Sequence, residues 1–282
     1  MNPKLTSRDI AVLVSAYHYR YLSTSQIHHL HFPSLQTAWR RLRALTALGC
    51  LKSFEVPNIL ERLYFLDKKG ADIVAIELRI DGEELAWHRH NRQPKDYYFL
   101  KHFLAINDFR ILLTKACTDI QLLGFIPEYI GEKTKDGYVK KYLRDRVENY
   151  SHTPDAVFAL EKDGKPAIFF LEIDRGIEVV TDPEKGLLKA IVFYLNYWVE
   201  KGWLRYNEDF KREFPTFRLL IVTTSLVRLQ HIREAVTNYP FSPSSVKQFF
   251  WGTMDSWVRV ESVFEPIWQS MDVNDVTAYR IG

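Results

Sequence analysis

Three carboxylates stand where the edge of a sheet could gather them. Asp155 follows Pro154 at the start of one apolar run, Asp155–Leu160. Glu172 and Asp174 close the next run, Ala167–Ile173, within Leu171-Glu172-Ile173-Asp174. If both runs are strands, side-chain alternation turns Glu172 and Asp174 to one face, and Asp155 on the hairpin partner can reach the same cluster. Converging carboxylates repel unless a cation neutralises them. Mg²⁺, with Mn²⁺ as a substitute, is the expected ion because it takes hard oxygen ligands and keeps several waters. Such an ion activates a water and stabilises charge on a phosphate. Acidic residues at strand ends also pair with nearby Lys or Arg, so both readings stay open.

The elements that must position these residues follow from periodicity. A long amphipathic helix is expected over Phe99–Thr118, then a strand over Ile120–Pro127. A charged insert follows, residues 131–152, holding Lys140 and Lys141 among other cations; it either clasps a phosphate backbone or is a solvated loop. The two strands bearing the carboxylates are joined by the turn Lys162-Asp163-Gly164-Lys165. Further on come a helix over Glu184–Lys201, a strand over Phe217–Thr223, a helix over Leu226–Asn238 and a strand over Val246–Trp251. That order implies helices packed on a mixed sheet, an α/β arrangement within a chain that is α+β overall. Trp251, Trp257 and Trp268 read as exposed aromatics suited to dimerisation or partner recruitment.

The first eighty residues follow a different plan. Helices are expected over Leu5–Ala16, with Thr6 or Ser7 as cap, from Ser23-Thr24-Ser25-Gln26 to Phe32-Pro33, and from Ser34 to Leu48. Gly49 stops the third, since it adopts the left-handed conformation without a steric penalty. Strands over Leu51–Val56 and Arg62–Leu66 would form a hairpin wing, and another helix opens at Asp67-Lys68-Lys69-Gly70. Three short helices followed by a hairpin make a winged helix-turn-helix. Its third helix carries Gln36, Thr37, Arg40, Arg41 and Arg43, types that bond adenine edges, guanine edges or phosphate. His28, His29 and His31 lie within a helix of this module and are rejected as a metal site.

Charge supports that division. Residues 1–95 hold 14 Lys and Arg against 9 Asp and Glu, whereas the remainder holds 24 against 26, so the positive excess is N-terminal. Residues 81–95, rich in charge with Gly82 and Pro94, read as a linker; His88, Arg89, His90 and Arg92 could extend the basic surface. The expected organisation is therefore residues 1–80, a linker at 81–95, and a second domain at 96–282. A hydrophobic content of 46% with 26% charged residues excludes a disordered chain, and no apolar run approaches the ~20 residues of a membrane span. Two cysteines, Cys50 and Cys117, give no disulfide framework or Cys-based zinc site, and with no apolar leader a cytoplasmic location is expected.

Pro154-Asp155, with Glu172-x-Asp174 seventeen residues on, resembles the active-site motif of the PD-(D/E)XK nucleases. The segments Thr153-Pro-Asp-Ala-Val-Phe158 and Phe169-Phe-Leu-Glu-Ile-Asp-Arg-Gly176, preceded by the winged module, resemble the plasmid replication-relaxation family over roughly Thr6 to Trp198. The resemblance implies a restriction-endonuclease-like second domain, with Asp155, Glu172 and Asp174 as metal-site residues. It implies a plasmid or mobile-element protein that binds a double-stranded DNA site and acts in replication, mobilisation or relaxation, with metal-dependent nicking as the enzymatic form. One departure stands out: Asp174 occupies the position where the nuclease pattern has Lys. Lys185 or Lys189 on the next helix could replace it. Cleavage by a metal-activated water and by a tyrosine nucleophile, nominally Tyr138, Tyr142 or Tyr150, both remain open. The alternative function is a non-catalytic regulator or initiator whose degenerate nuclease-like domain forms a homodimer or recruits replication or mobilisation proteins. A defence-type endonuclease is a third reading.

Overall fold

The computed structural model describes residues 5–80, 97–133, 139–177, 179–182, 186–240 and 248–282. The chain is of mixed α+β content and divides into two compact units, Met1–Ile111 and Leu112–Gly282. Among the described residues no helix is long and apolar enough to cross a membrane. The expected linker at 81–95 lies outside the described residues.

In the first unit, α1 (Ser7–Tyr19), β1 (Leu22–Ser23), α2 (Thr24–His31), α3 (Leu35–Ala47), β2 (Leu51–Val56), β3 (Ile59–Leu66) and α4 (Lys68–Leu78) follow in order. This is the element order expected of the winged module. Thr6 and Ser23 each close a capping box, with Asp9 and Gln26 respectively, and Ser34 caps α3. Gly49 has φ +72°, the left-handed stop its position required. The sheet is antiparallel in the order β1-β3-β2. The β1 pairing was not foreseen, because two residues carry no periodicity. Val12, Leu13, Ile27, Ala38, Leu42, Leu45 and Tyr64 form the core.

The division between the units falls inside α5 (Tyr97–Ala116) rather than before it. The first part of α5 is tied to the segment from α1 to α2 by polar bonds. The buried Asn107 donates from Nδ2 to the carbonyls of Tyr19 (3.1 Å) and Tyr21 (2.7 Å), and Gln26 donates from Nε2 to Leu104 O (2.9 Å) and Asp108 Oδ1 (2.8 Å).

In the second unit, β4 (Gln121–Pro127) is followed by two small hairpins, β5 (Gly131–Lys133) with β6 (Val139–Lys141) and β7 (Asp145–Val147) with β8 (Tyr150–His152). Then come β9 (Ala156–Lys162), β10 (Lys165–Ile173), α6 (Gly186–Val199), α7 (Tyr206–Phe210), β11 (Phe217–Thr223), α8 (Leu226–Thr237), β12 (Phe250–Met254), β13 (Trp268–Ser270) and β14 (Ala278–Tyr279). The seven-stranded sheet has the order β14-β13-β12-β11-β10-β9-β4. Strands β10, β11 and β12 are parallel and joined by α6 and α8; β9 and β4 pair antiparallel. Asp163 and Gly164, both with positive φ, form the two-residue turn between β9 and β10. One face of the sheet packs Ile168, Phe170, Leu219 and Ile221 against Ile191, Tyr194, Leu229 and Ile232.

Two expectations are corrected. The insert is not a solvated loop over its second half: Leu143 and Val147 are in the core, and the buried Asp145 accepts from Tyr197 Oη (2.7 Å) and pairs with Arg205 (2.7 Å). Alternation of polar and apolar residues over only three-residue strands hid this. Trp251 and Trp268 are not exposed but buried in the sheet, Trp251 stacked on Tyr279 with ring centroids 4.8 Å apart. The final segment therefore extends the sheet edge through β13 and β14.

Candidate nucleic-acid interface and carboxylate cluster

Helix α3 is held in place by its buried stripe and by one ion pair. Asp9, buried in the first turn of α1, receives Arg41 Nε and Nη2 at 2.5 Å each, and Thr6 donates to the same carboxylate from its backbone N and its Oγ1 (2.6 Å each). Burial opposes ionisation of Asp9, but the hydrogen bonds from Arg41 and Thr6 outweigh it and hold the carboxyl below its usual range. Arg41 is thus turned inward. Gln36, Arg40 and Arg43 are exposed and Thr37 is half-buried. Arg43 lies over the Trp39 ring at 4.7 Å, and Trp39 itself is half-exposed. Helix α3 carries no acidic residue, so its outer surface is cationic.

In the second unit the three carboxylates stand at one end of the sheet, each bonded differently. Asp155 directly precedes β9, and its Oδ2 accepts from the backbone N of Ile173 at 2.6 Å. Because Ala156 pairs with Leu171, Asp155 lies across from Glu172 on the neighbouring strand. Glu172 Oε1 accepts from Tyr194 Oη (2.6 Å) and has His152 Nε2 at 2.6 Å. Burial, and then the Glu172 carboxylate, push the Tyr194 hydroxyl well above the tyrosine range, so it stays protonated and donates.

Asp174, just past β10, is clasped by Arg228 from the first turn of α8, Nε to Oδ2 at 2.8 Å and Nη2 to Oδ1 at 2.9 Å. Thr223 Oγ1 (2.6 Å) and Gly176 N (3.1 Å) add two more bonds. Burial raises its pKa, but these bonds prevail and the carboxyl ends below its usual range.

The fit to Mg²⁺ can be judged from this bonding. A cation at Asp174 would have to displace a bidentate guanidinium that already neutralises it. Among the described residues no group of three or more His, Cys, Asp or Glu is placed to hold a metal ion. The three-carboxylate centre implied by the resemblance does not fit the residues as they stand.

Lys189 is exposed on α6, five residues before Tyr194, which turns to Glu172; the helical period sets the two about 140° apart around the axis. The structure does not bring Lys189 to the carboxylates, and Lys185 lies outside the described residues. Lys140 lies in β6, and the exposed Lys141 pairs with Glu128 at 2.9 Å. Of the nominated tyrosines, Tyr142 donates to Asp209, Tyr150 packs against the core, and Tyr138 lies outside the described residues. Sequence reasoning missed His152, Tyr194, Thr223 and Arg228. Arg228 is 54 residues from Asp174, and local pattern carries no signal for such a pairing.

Both depressed carboxylates fix the sign of a pH effect. Their folded pKa lies below the ordinary value of 3.8, so their stabilisation is complete above it and lost as pH falls through the folded value. Urea midpoints should therefore drop as pH falls below about 4, and Asp9→Asn or Asp174→Asn should flatten part of that slope. Unchanged slopes in both variants would contradict the assignment.

A family model described as replication-relaxation matches residues 13–211, a span that contains α3 and all three carboxylates. No curated protein and no solved structure matches the chain. With more than half its length matched, the chain belongs to the replication-relaxation family, which ties it to replication and relaxation.

Proposed function

We propose that the protein serves replication or relaxation of a plasmid or mobile element by binding duplex DNA through α3, and that its sheet unit is a degenerate nuclease-like scaffold. The observation that carries the DNA reading is the exposed, acid-free surface of α3 with Gln36, Arg40 and Arg43. A helix of this size fits the major groove, and Thr37 together with Lys140 and Lys141 of the second unit are further candidate contacts. The scaffold reading rests on the Asp174–Arg228 pair, which puts a neutralised acid where the nuclease pattern has an attacking-water lysine.

A second reading, metal-dependent nicking, is favoured by the register that sets Asp155 across from Glu172. Supercoiled plasmid incubated with the full chain and Mg²⁺ or Mn²⁺, beside Asp155→Asn and Glu172→Gln, separates the two. The scaffold reading expects salt-dependent retention of the plasmid with no nicked product from any of the three proteins. Nicking by the wild type that both variants lose would replace it with the enzymatic reading.

A further inference from the structure

One feature of α3 is not used by its polar residues. Leu35, Trp39 and Arg43 follow at four-residue steps and so form one ridge along the helix. The ridge flanks the cationic surface, since Trp39 stands about 100° around the axis from the buried Ala38 and Arg40 about 200°. Leu35 and Trp39 are each 48% exposed, an unusual outlay of apolar surface on a helix whose other outward residues are polar or small. The Arg43 guanidinium over the indole restrains both side chains and presents them together, an apolar plate with a cation laid on it.

A partner that fits must be anionic and must offer an apolar group beside hydrogen-bond acceptors. The major groove of a thymine-containing duplex has that chemistry, because thymine projects a 5-methyl group next to the acceptor edges of neighbouring bases and the phosphates. We propose that Leu35 and Trp39 are specificity-determining residues that read a thymine 5-methyl group, while Arg43 holds an adjacent base edge or phosphate. The inference rests on the DNA-binding reading of α3 and assigns it a preferred base.

The test uses a duplex selected from a random-sequence pool by the full-length wild-type protein, with each thymine then replaced in turn by deoxyuridine, which lacks only the methyl. At one or two positions the replacement should weaken wild-type binding by about 5- to 10-fold. Trp39→Ala should bind thymine and deoxyuridine duplexes within twofold of each other at those positions, and Trp39→Phe should keep part of the discrimination. Salt dependence should be unchanged in Trp39→Ala, since no charge is removed, and its unfolding midpoint shows that it folds. If the wild type and Trp39→Ala respond alike to every deoxyuridine, the proposal is overturned and the ridge faces a protein instead. If no duplex is selected at all, the DNA-binding reading fails and the proposal with it.

Discussion

Replacing Arg40 and Arg43 together by alanine should weaken binding to a cognate duplex by about 100-fold, roughly 3 kcal/mol, at physiological salt. Each arginine is exposed on α3, and each contact to a base edge or phosphate contributes about 1–3 kcal/mol. The slope of log affinity against log salt should fall by about one for each side chain that meets a phosphate. Fluorescence anisotropy across a salt series measures both quantities. Arg41→Ala is the informative contrast. Its side chain is 24% exposed and holds a 1% exposed Asp9, so its loss should lower stability by about 3 kcal/mol, near the lower end for a broken buried pair. Its remaining folded fraction should bind DNA with nearly wild-type affinity. If Arg41→Ala abolishes binding at full stability while the Arg40→Ala, Arg43→Ala protein binds normally, the outer face of α3 is not the interface.

Asp174→Ala should destabilise the sheet unit by about 3–5 kcal/mol, because it strands a guanidinium that is only 17% exposed and removes the acceptor of Thr223. Arg228→Ala should cost a similar amount by leaving Asp174, 3% exposed, without its cation. Exchanging both partners for apolar groups of similar volume, Asp174→Leu with Arg228→Met, should recover most of the loss, as buried pairs often trade evenly with packed hydrophobes. The unfolding curves of the wild type, Asp174→Leu, Arg228→Met and the double variant, read as a double-mutant cycle, separate a structural pair from a ligand set. A metal ligand predicts something else: Mg²⁺ would raise the wild-type midpoint by mass action and leave Asp174→Ala untouched. That pattern, with little loss in Asp174→Ala without added metal, would refute the pairing as the role of Asp174.

How much of this was legible in the sequence depended on the range of the interaction. The helices and the β2–β3 hairpin of the first unit were readable because caps, apolar period and Gly49 act within a few residues. The β9–β10 hairpin was readable for the same reason, its Asp163-Gly164 turn being local chemistry. Alternation put Glu172 and Asp174 on one face of their strand, and the β9–β10 register sets Asp155 across from Glu172. Trp39 was not singled out in the sequence, although helical period alone removes it from the Ala38–Leu42–Leu45 stripe.

The sequence by itself thus determined the order of the longer helices and strands, the position of the basic helix and the nearness of Asp155 to Glu172. Only tertiary structure decided which charges remain available. Arg41 and Arg43 are two residues apart in one helix, yet one is spent on Asp9 and the other faces outward, because 200° of helical rotation separates them. Asp174 looked like a ligand until α8, more than fifty residues later, brought Arg228 to it. A charge buried in a fold must find a partner, and the choice of partner is made by packing between elements that are distant in the chain.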